Sequence, residues 1–311
     1  MQWYHILIIV IFSLLALVLI TSYICFYLTF YIKDQKTYDN DEYDIPPGKD
    51  YLAHKDLLIS WMKEVKNMPY KEACITSFDN LKLYGKYYDC GGEVIEIMFH
   101  GYRGNSLRDL CGGVKRAFAI NHNVLLVDQR ASSLSDGHVT TFGIKERLDC
   151  LSWVNYAVET FGSDVKIILT GVSMGAATVI MASELDLPKN VIGALADCSY
   201  TSPKEIIKNT IRWMKLPTFI FYPFVYLGAK IFGKFNLEEA SPIEAIKNSK
   251  IPIIIFHGTT DKLVPLYMGE KLYEANPNNN KLVLIENAGH CLCYLIEPEL
   301  YLKEMNDFFK C

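Results

Sequence analysis

Apolar residues run almost without a break from Tyr4 to Ile32, and no Lys, Arg, Asp or Glu occurs between Met1 and Ile32. A run of this length exceeds the ~20 residues that cross a bilayer as helix. Trp3 and Tyr4 at one end, and Tyr23, Phe26, Tyr27, Phe30 and Tyr31 at the other, are amphipathic rings of the kind that settle at headgroup level. A cleaved leader has a basic start and an apolar stretch of only about 7–15 residues, so the pattern predicts a retained transmembrane anchor over 1–32. Lys33 and Lys36 follow the span and nothing basic precedes it, which by the positive-inside rule leaves the rest of the chain in the cytoplasm. The acidic stretch that follows carries Pro46, Pro47 and Gly48 and reads as a linker over 33–55. Residues 56–311 read as one globular domain.

Within that domain the period changes. Short runs rich in Val, Ile and Leu predict strands at Glu93–Phe99, Asn123–Val127, Val165–Thr170, Val191–Ala196, Ile251–Phe256 and Lys281–Ile285. Helical stretches fall between them at Ser106–Ala119, Ile144–Thr160, Met174–Leu185 and Leu266–Ala275, with a closing one at Tyr294–Phe309. Strand and helix alternating at this spacing imply an α/β fold, a mostly parallel sheet with helices on both faces. Ile75–Asp89, turning at Asp79-Asn80, predicts an antiparallel hairpin on the sheet edge. Thr201–Ala240 breaks the rhythm. It is helical and unusually apolar, but Pro217, Pro223 and Lys230 argue against a second span, and a short helical lid over a pocket fits it better.

Composition narrows the classes. Half the residues are hydrophobic, 21% are charged and the net charge is -4, so the chain has material for a large core and no electrostatic footprint for nucleic acid. Nine cysteines make an odd count, and secreted disulfide scaffolds are usually much shorter. Free thiols in a reducing compartment are the expectation. Cys291 and Cys293 are spaced C-x-C, unlike the C-x-x-C of zinc and redox sites, and the seven His are scattered. No metal and no cofactor are expected.

The candidate chemistry begins at Gly171-Val172-Ser173-Met174-Gly175, directly after one predicted strand and before a predicted helix. G-x-S-x-G in that setting is a nucleophile elbow, which projects the serine hydroxyl from the carboxyl edge of a sheet. A serine becomes a good nucleophile only when a base takes its proton and an acid orients that base. On this architecture the order is Ser, acid, His. Asp261 follows one predicted strand and His290 follows the next. A loop Asp is, by itself, usually a turn residue or helix cap, and a lone His usually a solvated side chain; three residue types in order, each behind a strand, make a triad the better reading. Asp197 is the alternative acid. The oxyanion hole is expected from the backbone N–H of Met174 and of Tyr102, the latter in the loop His100-Gly101-Tyr102-Arg103-Gly104. His100 reads as a brace for that loop and Arg103 as a solvated charge.

These residues carry a resemblance. HGYRGNS (100–106), DQRASSLSDGH (128–138), TFGIKERLD (141–149), GVSMG (171–175), ADCSYTSP (196–203), the stretch from Ser241 to Pro265 and NAGH (287–290) together resemble the alpha/beta hydrolase superfamily, in particular its membrane-anchored serine aminopeptidase-like or lysophospholipase-like branch. The similarity covers about residues 70–311. The family usually has glycine after Asp-x-Arg where this chain has Ala131, so that turn is expected to differ in shape. The resemblance implies a serine hydrolase, carboxylesterase- or lipase-like, cleaving esters through an acyl-enzyme, lipid-derived esters among them. A peptidase or amidase of the same fold is the first alternative, and a non-enzymatic, membrane-tethered binding protein the second.

Overall fold

The computed structural model describes residues 3–33 and 43–310. Residues 34–42 of the linker expected over 33–55, Lys36 included, lie outside them. Helix α1 (Trp3–Phe30), the short α2 (Lys49–Leu52) and α3 (Lys55–Asn67) precede the hairpin β1 (Lys71–Thr76) and β2 (Lys82–Tyr88). Then β3 (Val94–Phe99), α4 (Ser106–Ala119), β4 (His122–Val127), α5 (Glu146–Phe161), β5 (Lys166–Val172), α6 (Met174–Ala182) and β6 (Val191–Asp197) alternate. Two helices, α7 (Pro203–Trp213) and α8 (Thr218–Ile231), fill the interval expected to form a lid. The chain ends with α9 (Pro242–Asn248), β7 (Ile253–Gly258), α10 (Leu266–Ala275), β8 (Asn280–Ile285), α11 (Cys293–Ile296) and α12 (Pro298–Phe309). The single closing helix expected from Tyr294 to Phe309 is thus broken. Pro298 supplies no N–H and keeps the residue before it out of the helical region; Glu297 sits at φ −131°, ψ 67°.

The strands form one eight-stranded sheet in the order β1-β2-β4-β3-β5-β6-β7-β8. β1 runs antiparallel to β2 and β2 to β4, and every other pairing is parallel. Alternate side chains leave a strand on opposite faces. Ile95 and Ile97 of β3 accordingly join a core with α5, α6, α9 and α10, while Met98 packs with α3 and α4. Farther along the sheet, Leu195, Ile254 and Phe256 meet α12. The strand order sets the functional geography. From β3 the chain steps outward to β4, then returns across β3 to β5, so the loops after β3 and β5 part in opposite directions. A crevice opens at the carboxyl ends of the strands at such a switch point.

Helix α1 is long and apolar enough to cross a membrane, about 42 Å at 1.5 Å per residue. Its side chains are exposed from Trp3 to Ile20, but Ser22, Phe26 and Phe30 are buried against the domain. Phe30 meets Phe142 and Phe235 edge-on, with ring centres 5.7 and 5.1 Å away. Gly228 of α8 touches the backbone of α1 so closely that a Cβ there would lie 2.4 Å from the carbonyl oxygen of Ser22. The turn between α7 and α8 points Trp213 and Phe219 outward, 77% and 79% exposed.

Candidate active site

The site is built where β5 runs into α6. Ser173 stands between them at φ 54°, ψ −114°, a left-handed conformation that costs a side-chain-bearing residue energy and persists only where its surroundings enforce it. They do so through two glycines. A Cβ on Gly171 would lie 2.2 Å from the carbonyl of Gly175, and one on Gly175 would lie 2.0 Å from the carbonyl oxygen of Phe99. No larger residue fits either place, so strand and helix close tightly and the serine side chain is pushed out of the turn. The Ser173 N–H donates to the Asp197 carbonyl at 2.8 Å, which pins the turn to β6.

His290 arrives from the loop after β8. Its Nε2 lies 2.9 Å from Ser173 Oγ and its Nδ1 lies 2.6 Å from Asp261 Oδ2. Because a carboxylate only accepts, Nδ1 carries the proton and Nε2 is left to accept from the serine hydroxyl. The other oxygen of Asp261 accepts from the N–H groups of Leu263 and Val264, each at 2.9 Å, so the carboxylate is held on both sides. The two loops are tied together: Thr260 donates to the Ala288 carbonyl through its N–H at 3.1 Å and its hydroxyl at 2.9 Å. Burial pushes the Asp261 carboxyl above its ordinary value, opposed by the hydrogen bond from His290. Burial alone would lower His290, but the bond to Asp261 and the neighbouring Cys198 outweigh it and raise the imidazole above its ordinary 6.5.

Asp197, the alternative acid, is not among the partners of His290. It is buried, accepts from the Tyr301 hydroxyl at 3.1 Å, and burial pushes its carboxyl well above the ordinary range. The loop after β3 lies against the nucleophile: a Cβ on Gly101 would be 3.5 Å from Ser173 Cβ. That loop carries Tyr102, and Met174 opens α6, where the first N–H groups of a helix have no intrahelical acceptor. His100 braces the loop. Its Nε2 accepts from the Gln129 N–H at 3.1 Å, which fixes the proton on Nδ1, and Nδ1 donates to the Gly101 carbonyl at 2.8 Å. Arg103 differs from expectation. Its guanidinium donates to the carbonyls of Leu28 and Tyr31 at 2.9 and 3.1 Å, and the Tyr102 hydroxyl donates to that of Thr29 at 2.6 Å. The last carbonyls of a helix lack partners within it and carry its negative dipole end, so these two side chains cap α1.

Ala131, where the family usually has glycine, takes φ 61°, a left-handed conformation that glycine favours. Two further residues at the site went unnoticed. Tyr51, in the interval read as linker, donates to the His290 carbonyl at 2.7 Å. Cys198, buried at the end of β6, accepts from the Cys291 N–H at 3.4 Å and lies beside His290. Neither has a local sequence signature.

No family model matches the chain. It is 26% identical over 213 residues to the uncharacterized protein YqkD of Bacillus subtilis, covering 68% of this chain and 70% of that protein. Among solved structures, an esterase of Pyrococcus furiosus, Pf2001, superposes with a TM-score of 0.65 at 25% identity over 86% of this chain and 97% of its own. The acylaminoacyl peptidase of Pyrococcus horikoshii shares the fold at 15% identity, with a TM-score of 0.55 over 80% of this chain and 42% of its own. A sheet of this strand order, opening its crevice between β3 and β5 and matched by a solved esterase over nearly its whole length, makes the chain a member of the alpha/beta hydrolase superfamily.

Proposed function

We propose that this protein is a serine hydrolase that cleaves carboxylic esters through an acyl-enzyme at a membrane surface. One observation carries the reading: a serine at a strained elbow, an imidazole 2.9 Å away and a carboxylate 2.6 Å beyond that. His290 takes the proton as Ser173 Oγ attacks the ester carbonyl, then gives it to the departing alcohol. Water repeats the sequence to release the acid. Asp261 holds the tautomer and stabilises the imidazolium that forms at each step. The N–H groups of Tyr102 and Met174 receive the oxyanion, each worth ~10²–10³ in rate at sites of this kind.

Helix α1 is the membrane anchor in this reading, with the domain held at the cytoplasmic face. Tyr23 and Tyr27, exposed at its domain end, and the exposed Trp213 and Phe219 suit a lid that meets the headgroup layer, and lipid-derived esters are the substrate class that such a lid would admit. The test uses the full chain in detergent micelles. A fluorophosphonate should label the wild type, and Ser173→Ala should abolish both labelling and turnover of p-nitrophenyl esters, a loss of about 10⁴-fold or more. Equal turnover by both proteins would end the assignment. Aminoacyl amides run beside the esters separate a peptidase from an esterase.

A further inference from the structure

Behind the imidazole lies a group of sulfurs for which the hydrolytic steps have no use. The sulfurs of Cys198 and Cys291 and a ring nitrogen of His290 all lie within 4.8 Å of one another. Cys198 Sγ is also 3.9 Å from Cys293 Sγ, close to the roughly 3.8 Å that separates two thiolates on a tetrahedral zinc with bonds near 2.3 Å. A carboxylate oxygen of Asp197 falls in the same sphere as Cys198 and Cys293, and Asp197 Oδ1 is buried with no hydrogen-bond partner among the described residues.

We propose that Cys198, Cys291 and His290 form a binding site for a soft divalent cation, zinc above all, and that filling it switches the hydrolase off. Two thiolates and an imidazole are a donor set that selects zinc over magnesium or calcium, which take oxygen ligands. Binding displaces the thiol protons of Cys198 and Cys291 to solvent and takes a lone pair from one ring nitrogen of His290. Taken at Nε2, it removes the acceptor for the Ser173 proton. Taken at Nδ1, the ring proton moves to Nε2, so the bond to Asp261 and the acceptor for the Ser173 proton are both lost. Either loss disables the triad. Cys291 and His290 are only partly buried, so an ion can enter from the cleft.

The inhibition rests on the hydrolase reading; the metal site does not. The full chain, reduced and stripped with EDTA, is titrated with Co²⁺ while thiolate-to-cobalt charge-transfer absorption is followed, and Zn²⁺ is then added. One equivalent of Co²⁺ should bind to wild type and to Ser173→Ala, zinc should displace it and Mg²⁺ should not. Cys291→Ser should lose the band, whereas Cys90→Ser, altered away from the site, should keep it. Zinc should block fluorophosphonate labelling of the wild type, at a concentration at least tenfold lower than Cys291→Ser requires. No band in the wild type, or an undiminished band in Cys291→Ser, overturns the site. A band with labelling untouched by zinc overturns the switch. A Cys291-dependent band in a wild type that never labels keeps the site and removes the hydrolase reading instead.

Discussion

At the scale of single residues, the proposed mechanism makes the imidazole the group whose charge state decides the rate. Only neutral His290 can take the serine proton, and its pKa is raised from 6.5. Ester turnover should therefore rise with pH and reach half its plateau above pH 6.5. Replacing Cys198 by Ala removes one of the raising influences, so the same limb should move to lower pH in a kcat/KM profile; a limb that stays put shows that Cys198 does not influence the imidazole. Ala131 offers a separate test. An alanine at φ 61° carries left-handed strain of roughly 1–2 kcal/mol. Ala131→Gly should stabilise the fold by about 1 kcal/mol in denaturant unfolding. The meeting of Ser173, Asp261 and His290 is legible in the sequence because each follows its own apolar strand in a fixed order. Tyr51 and Cys198 are not. Tyr51 reaches His290 across 239 positions and Cys198 meets Cys291 across 93, and no periodicity encodes a contact of that range.

Helices and strands divide the same way between the legible and the hidden. Ser106–Ala119 and Leu266–Ala275 were bounded correctly from pattern alone, because strong amphipathic periods end at clear breaks. The hairpin turned at Asp79-Asn80 as expected, with Asn80 at φ 67°. Helix α3, which buries Met62 and Val65, was overlooked between linker and hairpin, and α9 is too short to show a period. How α1 sits against α8 was beyond reach. A uniformly apolar helix has no preferred face, so nothing along it distinguishes Ser22 and Phe26 from their neighbours; the choice is made by Gly228, two hundred residues away. Gly228→Val should pry the two helices apart, because the backbone of Ser22 leaves no room for a Cβ. Phe30→Ala should weaken the seating of α1 on the domain by about 3 kcal/mol through its lost contacts with Phe142 and Phe235. Limited proteolysis between residues 33 and 49 should then run faster in both variants than in the wild type. Unchanged cleavage would mean that neither contact holds α1 to the domain.

For the whole molecule, a buried ionic cluster under the sheet ties distant parts of the chain together. Glu96 on β3 takes a two-pronged contact from Arg116 of α4, a bond from His122 at 2.9 Å and one from the Thr170 hydroxyl at 2.8 Å. Burial pushes the Glu96 carboxyl up, but Arg116 and His122 outweigh it and hold it at about 2. A carboxyl lowered in the folded state favours folding above its unfolded value of 4.5, and that contribution is lost as pH falls toward 2. Stability should decline across that window in wild type and less steeply in Glu96→Gln. Glu96→Ala strands the Arg116 guanidinium and should cost about 3–5 kcal/mol, read as a lower midpoint in urea. The α/β class was legible from alternation alone, whereas this cluster was not, since Glu96 sits in a run that reads as a plain buried strand.

The capping of α1 by Tyr102 and Arg103 bears on how the protein should be produced. A version cut at residue 33 for work without detergent would strip three carbonyls from those side chains and uncover Phe142 and Phe235, disturbing the loop that faces Ser173. The workable cut is upstream of Thr21, where the exposed turns end and nothing is docked. Preparations made on either side of that point should differ in turnover although neither touches the triad.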